Sequence, residues 1–261
     1  MSEIRPPSLV TTGHRRLNMA RADITGPVTE RAGHRYRAHS WAKIFVTALL
    51  TLFTLPIFLS LNYAVLPPPI SALMIERLPM ARSVDYRWVP LAQISPELAR
   101  AVVTAEDARF CRHQGVDWRA VQDVVEEAFD GDEQPMRGAS TIAMQTVKNL
   151  FLWEGRSVIR KAVEIPLALW IDAIWPKKRV IEIYLNIVEW APGIYGAEAA
   201  AQKHFGKSAK ALSRREAALL ASVLPNPLKR RAGRPSLAVK RKAGVIEKRV
   251  GQMGALLDCV R

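Results

Sequence analysis

Two adjacent carboxylates are the residues of this sequence best suited to proton transfer. Glu106 and Asp107 follow a stretch in which Ser95 and Pro96 predict a helix start, with the helix running towards Phe110. Apolar residues precede Glu106 on this helix, so its carboxyl is expected at the edge of buried surface. Partial desolvation there raises a carboxyl pKa and suits a general base. An ordinary solvated helix end would carry the same two acids.

A helix with one polar face follows, and its residue types suit an anionic ligand. Ser140 is placed to cap a helix that starts at Thr141, and Thr141, Gln145 and Lys148 then recur at helical spacing. A hydroxyl, an amide and an ammonium beside the free N–H groups of a helix N-terminus can bind a phosphate. The alternative is the solvent-facing side of an ordinary amphipathic helix.

A second candidate carboxylate, Glu164, follows two basic residues. Arg160 precedes it by four positions and Lys161 by three, so the simplest interpretation is a surface ion pair along one helix. In the functional interpretation, the cationic neighbours hold Glu164 ionised within a site.

The composition favours a folded domain with an anionic partner. The chain has 261 residues, of which 49% are hydrophobic, and this length allows one large domain or two small ones. Its net charge of +14 indicates nucleic acid, a membrane surface or a phosphorylated substrate. The sequence contains no glycine-rich phosphate loop and no histidine pair with metal-ligand spacing. Cys111 and Cys259 also lack such spacing, and the sequence leaves open whether they pair, with two free thiols the favoured interpretation.

Residues 44–66 are uncharged and long enough to cross a bilayer as a helix. Basic residues precede this run, so the positive-inside rule places residues 1–43 in the cytoplasm and the rest of the chain outside. A cleaved signal peptide fits less well because the apolar run is too long, and a buried core helix fits less well because the run has no charge. Nucleic acid is then excluded as a partner, since the basic domain faces away from the cytoplasm.

The predicted organisation has four segments. Residues 1–43 form a basic, disordered cytoplasmic tail, and residues 44–66 form the transmembrane helix. Residues 67–94 form an extracytoplasmic linker with a short extended stretch over residues 82–89, and residues 95–261 form a domain predicted to be helical throughout.

Five stretches form motifs whose order and spacing are those of a single family. They read Glu106-Asp107-x-x-Phe110-x-x-His113-x-Gly115-x-Asp117; Gly138-x-Ser140-Thr141-Ile142-x-x-Gln145-x-x-Lys148-Asn149; Arg160-Lys161-x-x-Glu164; Lys178-x-x-Ile181-Glu182-x-Tyr184-Leu185-Asn186; and Leu212-x-x-x-Glu216-x-Ala218-x-Leu220-Ala221. The set resembles the peptidoglycan glycosyltransferases of glycosyltransferase family 51. No penicillin-binding domain follows, so we expect the monofunctional form.

The resemblance implies a mainly α, lysozyme-like glycosyltransferase domain preceded by a single transmembrane helix at the outer face of the cell inner membrane. The implied substrate is lipid II, a disaccharide-pentapeptide on undecaprenyl pyrophosphate, joined through β-1,4 bonds with inversion and release of undecaprenyl pyrophosphate. The implied partners are lipid II, the nascent glycan strand, the bilayer and cell-wall synthesis proteins. A divalent cation, Mg²⁺ or Mn²⁺, at the donor pyrophosphate stays open. A glycan hydrolase on this fold and a non-enzymatic membrane-anchored scaffold are the alternatives.

The same resemblance assigns roles to residues. Glu106 takes the proton from the acceptor 4-hydroxyl, and Glu164 assists at the donor pyrophosphate. Stabilisation of the pyrophosphate leaving group falls to Lys148, Arg160 and Lys161. The other predicted substrate-binding residues either hold phosphate and sugar (Ser140, Thr141, Gln145 and Asn149) or shape the site (Asp107, Phe110 and His113).

Overall fold

The computed structural model describes residues 28–79, 83–129, 138–155 and 157–260, and their secondary structure is mainly helical, as the sequence predicts. The chain divides into two compact units, residues 1–51 and residues 52–261, and all the candidate site residues belong to the second unit. The predicted tail over residues 1–27 and the first residue of the predicted stretch 82–89 lie outside the described residues.

The first helix, α1, covers Val28–Tyr63 and includes most of the predicted membrane span. Within it, Val46–Tyr63 has a mean hydropathy of 1.6 and is the one candidate membrane helix in the described part of the chain. The sequence predicts disorder for residues 28–43, whereas the structure continues the helix through them. The physical reason is that a helix nucleated over a long apolar run extends at little cost into a flanking sequence rich in Arg and Ala.

Nine further helices and three short strands follow in the described chain. The strands are β1 (Asp85–Tyr86), β2 (Glu189–Ala191) and β3 (Ile194–Tyr195), with β3 in the middle, parallel to β1 and antiparallel to β2. The helices are α2 (Ala72–Arg77), α3 (Pro96–Glu106), α4 (Trp118–Phe129), α5 (Ile142–Phe151), α6 (Val158–Ile174), α7 (Lys177–Ile187), α8 (Ala197–Phe205), α9 (Arg214–Val223) and α10 (Leu237–Gln252). Short 3₁₀ turns lie at Leu91–Gln93, Ala209–Ala211 and Gly254–Val260.

The β2–β3 hairpin corrects the prediction that the domain is helical throughout. Pro192 and Gly193 separate the two strands, and Gly193 adopts a φ of 74°. Proline cannot donate to a helical ladder, and a positive φ ends a helix, so this dipeptide turns the chain back on itself.

Two helix starts also differ in detail from the prediction. Ser95 precedes α3 as predicted, but its hydroxyl donates to the Leu212 carbonyl at 2.9 Å instead of capping the helix. The cap of α5 is Thr141, whose hydroxyl accepts the Met144 N–H at 3.2 Å, and not Ser140. Helix α3 ends at Glu106, short of Phe110.

Helix α3 lies at the centre of the second unit, packed against α9 and α10, while α5 packs against α6 and α7. The apolar residues before Glu106 are fully buried, with Leu98, Val102 and Val103 at 0% exposure. These two groups of helices meet at the end of α3, where Glu106 contacts Gln145 of α5. The packing of these buried residues therefore sets the direction in which the Glu106 side chain projects from the end of α3.

Hydrogen bonds connect the last residues of α1, and Leu66 just after it, to residues of α6 and α7 and to Trp175 between them. The indole N–H groups of Trp170 and Trp175 donate to the hydroxyl and the carbonyl of Ser60, both at 2.9 Å. Arg179 donates to the carbonyls of Tyr63 and Leu66 at 2.9 and 2.6 Å. The Trp170 bond joins the end of the apolar span to α6, the helix that carries Glu164, and the Arg179 bonds join it to α7.

Cys111 and Cys259 form a disulfide, so the prediction of two free thiols is wrong. The C-terminal turn Gly254–Val260 packs against α3 and α7, which brings the two Cα atoms to 5.6 Å despite a separation of 148 residues. Sequence spacing could not reveal this proximity, because it arises from packing at the far end of the chain. The bridge ties the C-terminus to the loop that follows Glu106.

We expect the Cys111→Ser/Cys259→Ser variant to be less stable than the wild type by about 2–4 kcal/mol, since the bridge removes conformational freedom from a long loop in the unfolded chain. Denaturant unfolding of the detergent-solubilised protein, with and without reductant, measures this difference. Reductant should weaken the wild type and leave the double-serine variant unchanged. Equal stability of the wild type and the double-serine variant in the absence of reductant would contradict the assignment.

Candidate active site

Glu106 is oriented by a chain of hydrogen bonds that crosses two helices. The Gln145 amide of α5 donates to Glu106 Oε2 at 3.2 Å, and the hydroxyl of fully buried Tyr184 on α7 donates to Gln145 Oε1 at 2.9 Å. An ionised Glu106 carboxylate can only accept, so it faces the amide N–H, and the amide oxygen then accepts from the Tyr184 hydroxyl. Gln145 therefore presents an N–H donor to the carboxylate.

Burial raises the pKa of Glu106 above its ordinary value, as the sequence predicts. The Gln145 hydrogen bond and the ammonium groups of Lys242 and Lys148 act in the opposite direction, while the Asp107 carboxylate adds to the rise. A desolvated carboxyl with an elevated pKa is a stronger base than an exposed one, so this environment suits proton abstraction.

Lys242, on α10, is a site residue that sequence reasoning missed. Burial lowers the pKa of this lysine, and the charge of Glu106 opposes that effect. It lies in a strongly basic stretch of α10, between the buried residues Val239 and Ile246. A single lysine in such a stretch gives no signal in the sequence, and only the packing of α10 on α3 brings it near Glu106.

If Glu106 acts as a base, the rate of the catalysed reaction should rise with pH as its carboxyl loses a proton. The midpoint of that rise should lie above the ordinary carboxyl pKa of 4.5. The Lys242→Met substitution removes a charge that favours the ionised carboxylate, so the midpoint should move to higher pH. The pH profile of kcat/KM measures this shift. Lys240→Met, on the exposed side of α10, is the control and should leave the midpoint in place. An unchanged midpoint in Lys242→Met would rule out the coupling.

Asp107 joins the end of α3 to the start of α5. Its Oδ2 accepts the Ile142 N–H at 3.0 Å, and its Oδ1 lies 2.9 Å from His113 Nε2. Phe110 is fully buried, and the Lys177 ammonium lies 4.7 Å from its ring centre and donates to the His113 carbonyl at 2.7 Å. These side chains are placed to shape the loop after Glu106, and their role towards a substrate stays a prediction.

Gly115 allows the loop of the first motif to pack closely against α6. Its φ is 71°, and a Cβ there would lie 2.5 Å from the Ala168 carbonyl oxygen. The Thr141 hydroxyl donates to the Gly115 carbonyl at 2.5 Å, so it is committed to the backbone. Thr141 and Asn149 are both buried, at 3% and 4% exposure, and their predicted contact with substrate is untested.

Glu164 lies in a cationic cluster made by α5 and α6. It is 1% exposed, and its two carboxylate oxygens accept from Arg160 Nη1 and, at 2.8 Å, from Lys161 Nζ. The ion pair that sequence spacing suggests at a helix surface is therefore buried at its acidic end. Lys161 Nζ also donates to Ser140 Oγ at 3.3 Å, which brings the segment before α5 into the cluster.

Lys148 adds a third cation to this cluster. Burial lowers its pKa, Glu154 and Glu164 oppose that effect, and the charges of Arg160 and Lys161 reinforce it. Three cations face Glu164 and Glu154, and Glu154 also pairs with Arg77, so the cluster has a surplus of positive charge. An anion such as a phosphate would compensate this surplus.

The cationic cluster and Glu106 adjoin each other through α5. Gln145 and Lys148 are three residues apart, about 4.5 Å along the helix axis, so the helix that orients the carboxylate also carries a cation of the cluster. A cavity of about 190 Å³ opens beside Glu106 and is lined in part by Asp107, Ser140 and Thr141. The arrangement places a desolvated carboxylate next to a cluster of cations.

The described residues contain no group of three or more His, Cys, Asp or Glu side chains that could hold a metal ion. Both oxygens of Glu164 already accept from basic side chains. This donor set does not fit a divalent cation, and we derive no step through one.

A mainly helical domain that sets a desolvated carboxylate beside a cationic cluster is suited to glycosyl transfer from a phosphorylated donor. A family model for transglycosylases matches residues 73–250, more than half of the chain. The chain therefore belongs to the transglycosylase family and is a glycosyltransferase. The predicted family and fold class are confirmed.

Close relatives carry the name biosynthetic peptidoglycan transglycosylase. The protein of Rhizobium meliloti (strain 1021) is 54% identical over 192 residues, covering 74% of this chain and 80% of the relative. The protein of Agrobacterium fabrum (strain C58) is 52% identical over 221 residues, covering 84% and 96%. That of Brucella suis biovar 1 is 49% identical over 215 residues, covering 82% and 95%.

Proposed function

We propose that this enzyme polymerises the glycan strands of peptidoglycan from lipid II, with inversion at the anomeric carbon and release of undecaprenyl pyrophosphate. The observation that carries the proposal is the adjacency of Glu106, as base, to the Lys148, Arg160 and Lys161 cations. The identity of the polymer is inferred from the relatives, which are named biosynthetic peptidoglycan transglycosylases.

In the proposed step, the 4-hydroxyl oxygen of the acceptor attacks the anomeric carbon of the donor. The hydroxyl proton passes to a carboxylate oxygen of Glu106 as the new glycosidic bond forms. The bond between the anomeric carbon and the phosphate oxygen breaks, and its electron pair leaves with the pyrophosphate. Attack opposite the leaving group inverts the configuration of the sugar.

The cationic cluster stabilises the leaving group in this proposal. Pyrophosphate is a stable anion, so it needs positive charge more than it needs a proton. Lys148, Arg160 and Lys161 supply that charge, and Glu164 holds Arg160 and Lys161 in place through its two oxygens. A hydrolase that cleaves a neutral glycan would have no use for these cations, which favours transfer over cleavage.

The proposed location is the inner membrane, with the N-terminus in the cytoplasm and the catalytic domain outside. The candidate helix Val46–Tyr63 and the basic residues that precede it support this topology. The disulfide between Cys111 and Cys259 supports it independently, because such bonds form in oxidising compartments such as the periplasm. Tethering also keeps the enzyme in the bilayer that holds a lipid-linked substrate.

The test offers the detergent-solubilised protein labelled lipid II in one reaction and preformed glycan in another, and resolves the products by length. The proposal predicts long glycan from lipid II and unchanged preformed glycan. Shortening of preformed glycan without polymer formation would establish the hydrolase instead. A folded protein that is inert towards both substrates would contradict the proposal and favour the scaffold.

A further inference from the structure

Lys148 has no carboxylate partner of its own, although the charges of two carboxylates act on it. Its ammonium takes part in none of the ion pairs of the described structure. Burial lowers the pKa of Lys148, and the charges of Glu154 and then Glu164 oppose that effect. The oxygens of Glu164 accept from the other two cations of the cluster. The charge of Lys148 therefore stays available to a ligand only as long as Glu154 also has another partner.

Helix α2 supplies that other partner for Glu154. Arg77 lies in the last turn of α2, and its Nη2 is 2.5 Å from Glu154 Oε2. The neighbouring Glu76 accepts the backbone N–H of Glu154 at 2.8 Å. Helix α2 also packs against α5, the helix that carries Lys148. These contacts set the position of both the backbone and the carboxylate of Glu154, just after the end of α5.

A second carboxylate keeps Arg77 in place. Arg77 Nε lies 3.7 Å from Oε2 of Glu189 on β2, and the Glu189 side chain is 6% exposed. Glu189 is itself fixed, because its Oε1 accepts the Gly193 N–H at 3.0 Å. The side chain of Glu154 is more exposed than that of Arg77, at 34% against 19%. Arg77 is therefore the anchored member of its pair with Glu154, and Glu154 is the member that can move when the pair is broken.

Without Arg77, the carboxylate of Glu154 would be left beside Lys148, on which its charge already acts. An ammonium and a carboxylate that are both partly desolvated and have no other partner form a charge-assisted hydrogen bond. An incoming pyrophosphate would then have to displace Glu154 from Lys148, and this would offset part of the stabilisation that the lysine supplies. The ion pair between Arg77 and Glu154 prevents this competition.

We propose that Arg77 is a positioning residue that keeps the carboxylate of Glu154 from pairing with Lys148, so that the Lys148 ammonium is free to meet the pyrophosphate of the donor. The pyrophosphate in this statement rests on the proposed function. Arg77 acts on the reaction through Glu154 and not on the substrate. It lies outside the five sequence motifs, and the packing of α2 on α5 identifies it.

A double-mutant cycle tests the proposal through the steady-state kinetics of the detergent-solubilised full chain on lipid II. Arg77→Met should lower kcat about tenfold, the cost of breaking one charge-assisted hydrogen bond, and should change KM less. In a Glu154→Gln background the same substitution should lower kcat by less than about twofold, because no carboxylate is released. Arg77→Lys keeps a cation and should retain most of the rate. Arg87→Met removes an exposed arginine that pairs with Asp85, and as the control it should keep the wild-type kcat.

A Glu189→Gln background separates this role from a purely structural one, since it removes the other carboxylate that Arg77 faces. Arg77→Met should still lower kcat about tenfold in that background. The proposal is overturned if Arg77→Met leaves kcat unchanged, if the loss is equal with and without Glu154→Gln, or if Glu189→Gln abolishes it instead. Arg77→Gln replaces Arg77→Met throughout if circular dichroism shows that the methionine variant is unfolded.

Calorimetry with inorganic pyrophosphate repeats the cycle without the polymerisation reaction. Arg77→Met should weaken pyrophosphate binding about tenfold, and in the Glu154→Gln background it should not weaken binding. Absence of polymer from the wild type would refute the proposed function, and the binding cycle would still decide the role of Arg77. Equal weakening in the two backgrounds, or weakening in neither, would refute that role.

Discussion

Glu106→Gln is expected to reduce glycan synthesis by about 10²–10⁴-fold, the contribution typical of a positioned general base. The substitution keeps the shape of the side chain and leaves an amide oxygen to accept from Gln145. It removes the group that takes the proton from the acceptor hydroxyl. The rate of polymer formation from labelled lipid II at saturating substrate measures the effect.

Glu97→Gln is the matched control for this experiment. Glu97 lies on the first turn of α3, at the opposite end of the helix from Glu106, and pairs with Arg100 and Arg214. Its substitution removes one carboxylate from the same helix and should leave the rate near that of the wild type. Activity within threefold of wild type in a folded Glu106→Gln variant would show that another group accepts the proton.

Lys148→Met is expected to lower kcat by about 10²–10³-fold, because the lysine faces charge that develops on the leaving pyrophosphate. The effect should fall on kcat more than on KM, since the charge is greatest in the transition state. Lys148→Arg restores a cation and should recover part of the rate. Steady-state kinetics with lipid II separate the two parameters.

Lys240→Met serves as the control, since it removes a cation from an exposed position of α10. It should leave both kinetic parameters close to those of the wild type. A Lys148→Met variant with an unchanged kcat and a raised KM would contradict the account. In that case the lysine binds substrate and transition state equally.

The sequence predicts most of the local structure and the partial burial of Glu106, because these depend on periodicity and on short motifs. The buried end of α3 follows from its apolar spacing, and the elevated pKa of Glu106 follows from that burial. The start of α9 is equally local, because its capping box joins Ser213 and Glu216, three residues apart. Each of these features is determined by neighbours within a few residues.

What the sequence does not predict depends on contacts between distant segments. The Cys111–Cys259 bridge arises because the C-terminal turn packs on α3, and Lys242 reaches Glu106 only through the packing of α10. Thr141 is similar: its hydroxyl donates to the carbonyl of Gly115, 26 residues earlier, and helical spacing gives no sign of this bond. Pairings of this kind have no local signature in the chain.

The most direct test of the central claim counts undecaprenyl pyrophosphate released for each disaccharide joined when the purified enzyme acts on lipid II. Transfer driven by departure of the pyrophosphate predicts one released for every new glycosidic bond, and neither product with Glu106→Gln. Glycan that changes length without release of the pyrophosphate lipid would contradict the account.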